Sequence, residues 1–371
     1  MPPAAKPLRV LFLPDFSASN PYQRQLAEGL RVLGITVTMA RAPRRQPLPI
    51  LREWLRHGRP DVIHLHWTHN YLGGTAVPGR AAAPGRLARA RFLWQLRIVK
   101  ALGTRLVWTV HNLGVHDGAG DPREMSVHRQ LVGLCDAVIC HCEAALEAAV
   151  DAYDLRSADR ARLHVIPHGN YVGLYPAPAD RAEARARLEL TEDVTVLAFV
   201  GAIRAYKGVA QLLAAFHEID DPKARLIVAG NPRATRDAPG LGSELAAAAR
   251  RDPRVQVRLR FVPDEEIGIL LTAADAVVLP FRDILTSGSA ILAMSFGKAV
   301  VAPRLGCLPE LLDTGGGLLY DPVPADALRN ALRAALAADL PAIGARNLDR
   351  ARQLDWGRIA AATAQLYRGD G

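Results

Sequence analysis

In the stretch VGAIRAYKGV, Gly201 ends an apolar run, Arg204 and Lys207 follow three residues apart, and Gly208 comes next. Glycine lets a backbone come close to a ligand and cations neutralise charge, so the arrangement suits a diphosphate. The plainer alternative is a pair of solvated loop cations. A second stretch, RDILTSGSAIL, runs from Arg282 to Leu292 between two apolar segments that read as buried strands, DAVVLPF and KAVVAP. Ser and Thr favour helix starts because their hydroxyls satisfy backbone N–H groups with no partner inside the helix. The pattern therefore predicts a helix beginning near Thr286 or Ser287. A cap needs only one such residue. Thr286, Ser287, Gly288 and Ser289 in succession also let an anion approach the exposed N–H groups. Two such features at strand ends of one sheet point to a phosphate-bearing ligand, with Gly230 closing the run ARLIVAG at the same edge.

The first half of the chain offers a different set. WTVHN ends an apolar run with His111 and Asn112, and DVIHLHWTHNY brings His64, His66, Trp67 and His69 together. Alternation along a strand puts His64 and His66 on one face. A dinuclear metal site would need carboxylates at matching spacing, which this stretch lacks, so these residues read as polar walls of a pocket. PDFSASNPYQ carries Asp15, Asn20 and Tyr22 ahead of a helix that Pro21 could open, as substrate contacts or as an ordinary turn. In CDAVICHC, Cys135, Cys140 and Cys142 flank His141. Closed zinc sites want paired Cys-x2-4-Cys units, and alternation would turn His141 away from its neighbours, so buried thiols are the better reading. Nothing suggests a disulfide framework.

The elements that must hold these residues are apolar runs of strand length with helical stretches between them. LRVLFLPD, ITVTMA, DVIHLHW, TRLVWTV, DAVICH and LHVIPHG come first, then VTVLAFVGAI, ARLIVAG, VQVRLRFV, DAVVLP and KAVVAP. Strands alternating with helices mean βαβ units and a parallel sheet. The 371 residues exceed what one core usually supports. Gly, Pro and then a charged run interrupt the rhythm near Tyr175 to Asp180. Two doubly wound α/β domains, residues 1–175 and 176–371, facing across a cleft are therefore expected, with ligands beyond the carboxyl ends of strands. The C-terminal DWGRIAAATAQLYR has helical spacing and is a candidate to pack back on the N-terminal domain.

Half of the residues are hydrophobic, and the formal charge of +9 comes from Arg far more than from Lys. Aromatics make up only 6 % and no basic run is interleaved with stacking residues, which argues against nucleic acid. No run approaches the roughly 18 apolar residues that span a bilayer, and MPPAAKPLRVLFLPD enters a strand without a cleavable signal pattern, so a cytoplasmic protein is expected. GRLARARFLWQLRIVKALG reads as a helix whose apolar face covers the sheet and whose cations are solvated. The competing reading is peripheral contact with an anionic membrane.

Taken in order, NPYQ, HLHW, WTVHN, IPHGNY, RAYKGV, ILTSGSAILAMSFGKAVVAP and GCLPELL resemble bacterial glycosyltransferases of the GT-B fold, in or near glycosyltransferase family 4, from about Leu8 to Asp321. The resemblance implies transfer of a sugar from a nucleotide diphosphate sugar, UDP- or GDP-linked, to an acceptor hydroxyl. The product would be a polysaccharide, glycolipid or glycosylated metabolite. The donor belongs to the C-terminal domain and the acceptor to the N-terminal one, with retention and with no metal or cofactor. Lys207 matches the family's diphosphate lysine. Its usual arginine partner would fall at Ala202, so either Arg204 serves instead or the pair is incomplete. His111 matches the strand-end histidine near the donor sugar, and Glu310 the acidic residue of the PEL stretch. Gly201, Gly230, Thr286, Ser287, Gly288 and Ser289 complete the donor set. Asp15, Asn20, Tyr22, Trp67, Asn112 and Asp117 are the acceptor-side candidates, and a lipid-linked acceptor at the inner face of the membrane would suit the basic helix.

The largest departure is at Ile284 and Leu292, where the family typically carries two glutamates eight positions apart. Neither residue can accept a hydrogen bond, which leaves the ribose contact and the stereochemistry open. Inversion would need a base, for which Asp15 and Asp117 are nearest. A nucleotide-sugar epimerase or hydrolase, and a non-catalytic sugar-nucleotide binder, are the alternatives within the same fold.

Overall fold

Each half of the chain builds its own six-stranded parallel sheet. The computed structural model describes residues 6–18, 20–41, 46–72, 85–114, 122–233, 238–312 and 315–369. The first sheet consists of β1 (Arg9–Leu13), β2 (Thr36–Met39), β3 (Val62–Leu65), β4 (Arg105–Thr109), β5 (Ala137–Cys140) and β6 (Leu163–Val165). Its order is β2-β1-β3-β4-β5-β6. Around it run α1 (Pro21–Val32), α2 (Pro49–Arg56), α3 (His69–Leu72), α4 (Arg86–Ala101), α5 (Pro122–Leu134), α6 (Glu143–Tyr153) and α7 (Ser157–Arg160). Strands covered on both faces read as unbroken apolar runs, and RVLFL is one of them, with Val10 to Leu13 buried.

The second sheet holds β7 (Thr195–Val200), β8 (Ala224–Ala229), β9 (Val255–Arg258), β10 (Ala276–Val278), β11 (Ala299–Pro303) and β12 (Gly317–Tyr320). The order is β12-β11-β10-β7-β8-β9. Its helices are α8 (Arg181–Ala186), α9 (Val209–His217), α10 (Leu241–Ala249), α11 (Asp264–Ala273), α12 (Gly288–Ser295), α13 (Leu308–Leu312), α14 (Ala327–Ala337) and α15 (Leu340–Gln353). Alternation along β7 splits its side chains between two cores. Val196, Ala198 and Val200 enter one, and Leu197 and Phe199 the other. The pattern of strand-length runs misses β12, whose four residues are only half-buried at the sheet edge.

The last helix, α16 (Trp356–Arg368), belongs to the first unit. Residues up to Gly169 and from Leu354 onward cluster together, and Asn170–Gln353 form the second unit, so the exchange comes before the Gly/Pro-rich stretch near 175. Small residues permit the docking. A β-carbon on Gly29 of α1 would lie 2.8 Å from Ala360 Cβ, and one on Gly169 would sit 2.3 Å from the Trp356 indole. Tyr367 completes the seam, its hydroxyl 2.6 Å from His64 Nδ1. On α4, Phe92, Leu93, Leu96 and Val99 are buried, while Leu87 and Trp94 remain exposed.

Candidate active site

Strand order reverses between β7 and β10, because the chain lays β8 and β9 on one side of β7 and then starts again on the other. Ligands of doubly wound sheets bind beyond the carboxyl ends of the strands at such a point. Here the geometry gathers residues from three segments. A β-carbon on Gly201, at the end of β7, would lie 3.6 Å from Ser289 Oγ and 3.9 Å from Lys207 Nζ. Lys207 ends a short 3-10 turn, Ala205–Lys207, which Gly208 closes at φ +69°. No side chain fits at Gly208, since a β-carbon would come within 1.9 Å of Pro280 O. The turn is thereby pressed against the chain leaving β10, and Arg282 N–H donates to Tyr206 O at 2.8 Å. Gly230 at the end of β8 packs under Gly201 O with equally little space.

Ser287 is the N-cap of α12, its Oγ accepting from Ala290 N–H at 3.1 Å, so the helix starts where the hydroxyl pattern places it. Lys207 keeps part of its surface open to solvent, with Nζ 5.7 Å from the centre of the Phe281 ring. Burial among its neighbours, and then the charge of Arg204, draw its pKa down to about 8. Arg204 itself leans the other way, donating from Nη1 to Ile203 O at 2.8 Å and Asn231 O at 3.4 Å. Glu310 is exposed on the short helix α13. Ile284 and Leu292, at the positions of the missing glutamates, pack against the core of the second unit.

In the first unit the order reverses between β1 and β3. Beyond the ends of β3 and β4 lies a pocket whose empty volume, open mouth included, is about 280 Å³, lined by His66, Trp67, His69, His111, Asn112 and Glu124 among others. His111 stacks on Trp67, ring centres 4.2 Å apart at 13°, and its Nε2 is 3.2 Å from His66 Nδ1. Burial above all, and then neighbouring imidazoles, hold both histidines well below their usual pKa. Neutral rings facing nitrogen to nitrogen share one proton, so each fixes the tautomer of the other.

Three acceptor-side candidates do not line this pocket. Asp15 Oδ1 accepts from Ser17 N–H at 2.9 Å and from Ser17 Oγ at 2.6 Å, closing its own turn. Asn20 caps α1 through Tyr22 N–H at 3.0 Å. Tyr22 is buried in the core, its ring edge-on to His111 at 5.0 Å, and burial raises its pKa far above the phenol range. Asp117 lies outside the described residues. The pocket also contains residues that strand-end reasoning missed, Glu124 and His128, which share a face of α5 at i,i+4 spacing. His128 donates from Nδ1 to Leu113 O at 3.1 Å, which leaves Nε2 to accept from Thr68 Oγ1, also at 3.1 Å. His141 likewise turns Nδ1 to Ile166 O at 3.0 Å, Cys142 caps α6, and Cys135 and Cys140 are buried free thiols.

The family described as Glycosyltransferase Family 4 matches residues 11–170, and that described as Glycosyl transferases group 1 matches residues 180–350. A D-inositol 3-phosphate glycosyltransferase of Actinosynnema mirum is 30% identical over 391 residues, spanning 96% of this chain and 86% of the relative. A GDP-mannose:glycolipid 4-beta-D-mannosyltransferase of Xanthomonas campestris pv. campestris is 28% identical over 305 residues, spanning 80% of this chain and 79% of that protein. The solved structure of Anabaena Alr3699/HepE in complex with UDP and glucose superposes with a TM-score of 0.73 at 19% identity, covering 96% of this chain and 98% of that one. At that identity the superposition speaks for the fold. With two family matches that together run from residue 11 to residue 350, a relative at 30% identity and two parallel doubly wound sheets, the chain belongs to the family 4, group 1 glycosyltransferases of the GT-B fold.

Proposed function

We propose that this glycosyltransferase takes its sugar from a nucleoside diphosphate sugar held by the second unit and passes it to an acceptor hydroxyl bound by the first. The observation that carries the reading is the convergence of Gly201, Lys207 Nζ and Ser289 Oγ at the switch point of the second sheet. As the bond from the anomeric carbon to the diphosphate lengthens, negative charge grows on the leaving phosphate and the sugar becomes oxocarbenium-like. Lys207 and the first N–H groups of α12 are fixed donors for that charge, the kind of preorganised contribution that dominates such steps. His111, neutral and stacked on Trp67, is assigned to the transferred sugar. Trp67 and Asn112 are assigned to the acceptor, and Glu310 to the donor. UDP in the Anabaena complex and GDP-mannose in the name of the Xanthomonas relative keep both bases as candidates, and the acceptor is a polysaccharide, glycolipid or metabolite.

Thermal unfolding with UDP, GDP, dTDP and ADP tests the donor half. A diphosphate present at 100 times its dissociation constant should add about 2.7 kcal/mol. Stabilisation by none of the four would sink the assignment. Retention is part of the reading, and the engagement of Asp15 Oδ1 by Ser17 N–H and Oγ weighs against that carboxylate as a base. Turnover in EDTA with the product's anomeric proton followed by NMR checks retention and metal independence together. An inverted product, loss of turnover in EDTA, or diphosphate release without transfer would each overturn its part of the proposal. Exposed Leu87 and Trp94 on a helix that also bears Arg86 and Arg97 favour peripheral contact with anionic lipid. Vesicles rich in phosphatidylglycerol should sediment the protein, and equal sedimentation with neutral vesicles would count against it.

A further inference from the structure

The first unit has a second pocket beside the one that His111 lines. Its empty volume, open mouth included, is about 390 Å³, and its walls are Pro49 of α2, Asn70 and Tyr71 of α3, and Ala88, Arg91 and Phe92 of α4. The two pockets lie on either side of α3, since His69 lines the first and the next two residues line the second. The walls are firmly set. Tyr71 stacks on Phe92 with ring centres 5.5 Å apart. Gln95 closes the floor, and its Oε1 caps α2 from the neighbouring helix by accepting from Ile50 N–H at 3.0 Å and Leu51 N–H at 3.3 Å.

Two groups in this rigid frame lack partners. Tyr71 is only 8% exposed, and its hydroxyl meets no hydrogen-bond partner among the described residues. Sequences rarely keep a buried phenol in that condition unless something else satisfies it. Arg91 forms no ion pair among the described residues, on a helix with five cations and no acid. By contrast, Lys100 of the same helix pairs with Asp136 at 3.1 Å and Arg97 donates to Gln130. Arg91 is partly exposed, so its guanidinium is hydrated and open to an anion entering the pocket. A guanidinium fork and a phenolic donor at one apolar-walled pocket are complementary to an anionic oxygen group on a flat or apolar body.

We propose that this pocket is an acceptor subsite for a phosphate or carboxylate group, with Arg91 as counter-ion and the Tyr71 hydroxyl as hydrogen-bond donor. The assignment rests on the glycosyl-transfer reading only in naming the ligand an acceptor.

Calorimetric titration with phenyl phosphate, benzoate and phenol tests it on the intact protein. One of the two anions should bind saturably and phenol should not, and the anion that binds better tells phosphate from carboxylate. Tyr71→Phe, which keeps the ring on Phe92, should weaken that anion about tenfold or more, and Arg91→Gln should remove its binding. Because the hydroxyl has no partner inside the protein, Tyr71→Phe without ligand should leave the unfolding temperature unchanged or raised. Binding of phenol as tight as that of the anions would overturn the proposal. So would no binding by any of the three, or a Tyr71→Phe protein that is less stable yet keeps its anion affinity. Adding UDP and GDP to the same titrations separates the two readings. Diphosphate binding without aromatic-anion binding sinks the subsite alone, and the reverse sinks the donor assignment alone.

Discussion

Lys207→Ala should lower kcat/KM by about 100- to 1000-fold, the equivalent of losing one preorganised donor worth about 2.7 to 4 kcal/mol, while the protein stays folded. The side chain is partly exposed on a three-residue turn and outside both cores of the second unit, so its removal leaves no large cavity. Its ammonium stands beside Gly201 and Ser289, where the backbone is bare and a diphosphate can approach. Burial holds the ammonium near pKa 8, so it is charged below that pH and loses its proton as the pH rises through 8. A bound diphosphate favours the charged form, so donor KM should climb above pH 8 in the wild type and show no such limb in the variant. Arg204→Ala should cost less, because its Nη1 is already engaged by Ile203 O and Asn231 O. Wild-type turnover in a folded Lys207→Ala protein would end the assignment.

Acid should unfold the first unit well before the second. Burial lowers the pKa of His64 and His168 to about 3 and of His128 and His141 to about 4. In the unfolded chain the same groups titrate near 6.5. Above that pH all are neutral in both states and their contribution is complete. Below it the unfolded chain takes up protons that the folded unit refuses, so stability falls as the pH drops from about 6.5 toward 4 and below. Each histidine contributes up to about 1.4 kcal/mol per pH unit, so four should remove on the order of 4 kcal/mol between pH 7 and pH 5.5. The five tryptophans, Trp54, Trp67, Trp94, Trp108 and Trp356, all lie in the first unit, so denaturation followed by indole fluorescence reports on that unit alone. A flat profile from pH 7 to pH 5.5 would contradict the buried, neutral imidazoles.

Much of the frame could be read from residue order, because a strand covered on both faces has to be apolar throughout. VTVLAFV and DAVVLP announce themselves in that way, whereas GLLY, half-buried at an edge, carries too little signal. The start of α12 was legible because Ser287 is a capping type at a capping position. What residue order does not encode is which loops meet. Lys207 and Ser289 are far apart in sequence and become neighbours only because β7 and β10 pair at the point of reversal. The same gap misleads in the first unit. Asp15, Asn20 and Tyr22 have polar types at a strand end, yet a turn, a cap and a core use them up. Glu124 and His128 sit at i,i+4, a spacing too common in helices to single them out. The apolar Ile284 and Leu292 are explained by the core they join, which gains contacts that charged side chains could not supply.

The return of α16 to the first unit bears on the order in which the chain becomes a protein. Domains usually fold as they leave the ribosome, the N-terminal one first. Here the first sheet emerges early without the helix that supplies Ile359, Ala360 and Tyr367 to its core and the hydroxyl that meets His64 Nδ1. Residues 170–353, a contiguous unit, are made in full before that helix appears. Synthesis therefore delivers a finished second unit while the first is still waiting for its last piece. The second unit matures ahead of the first, although it is encoded after most of it.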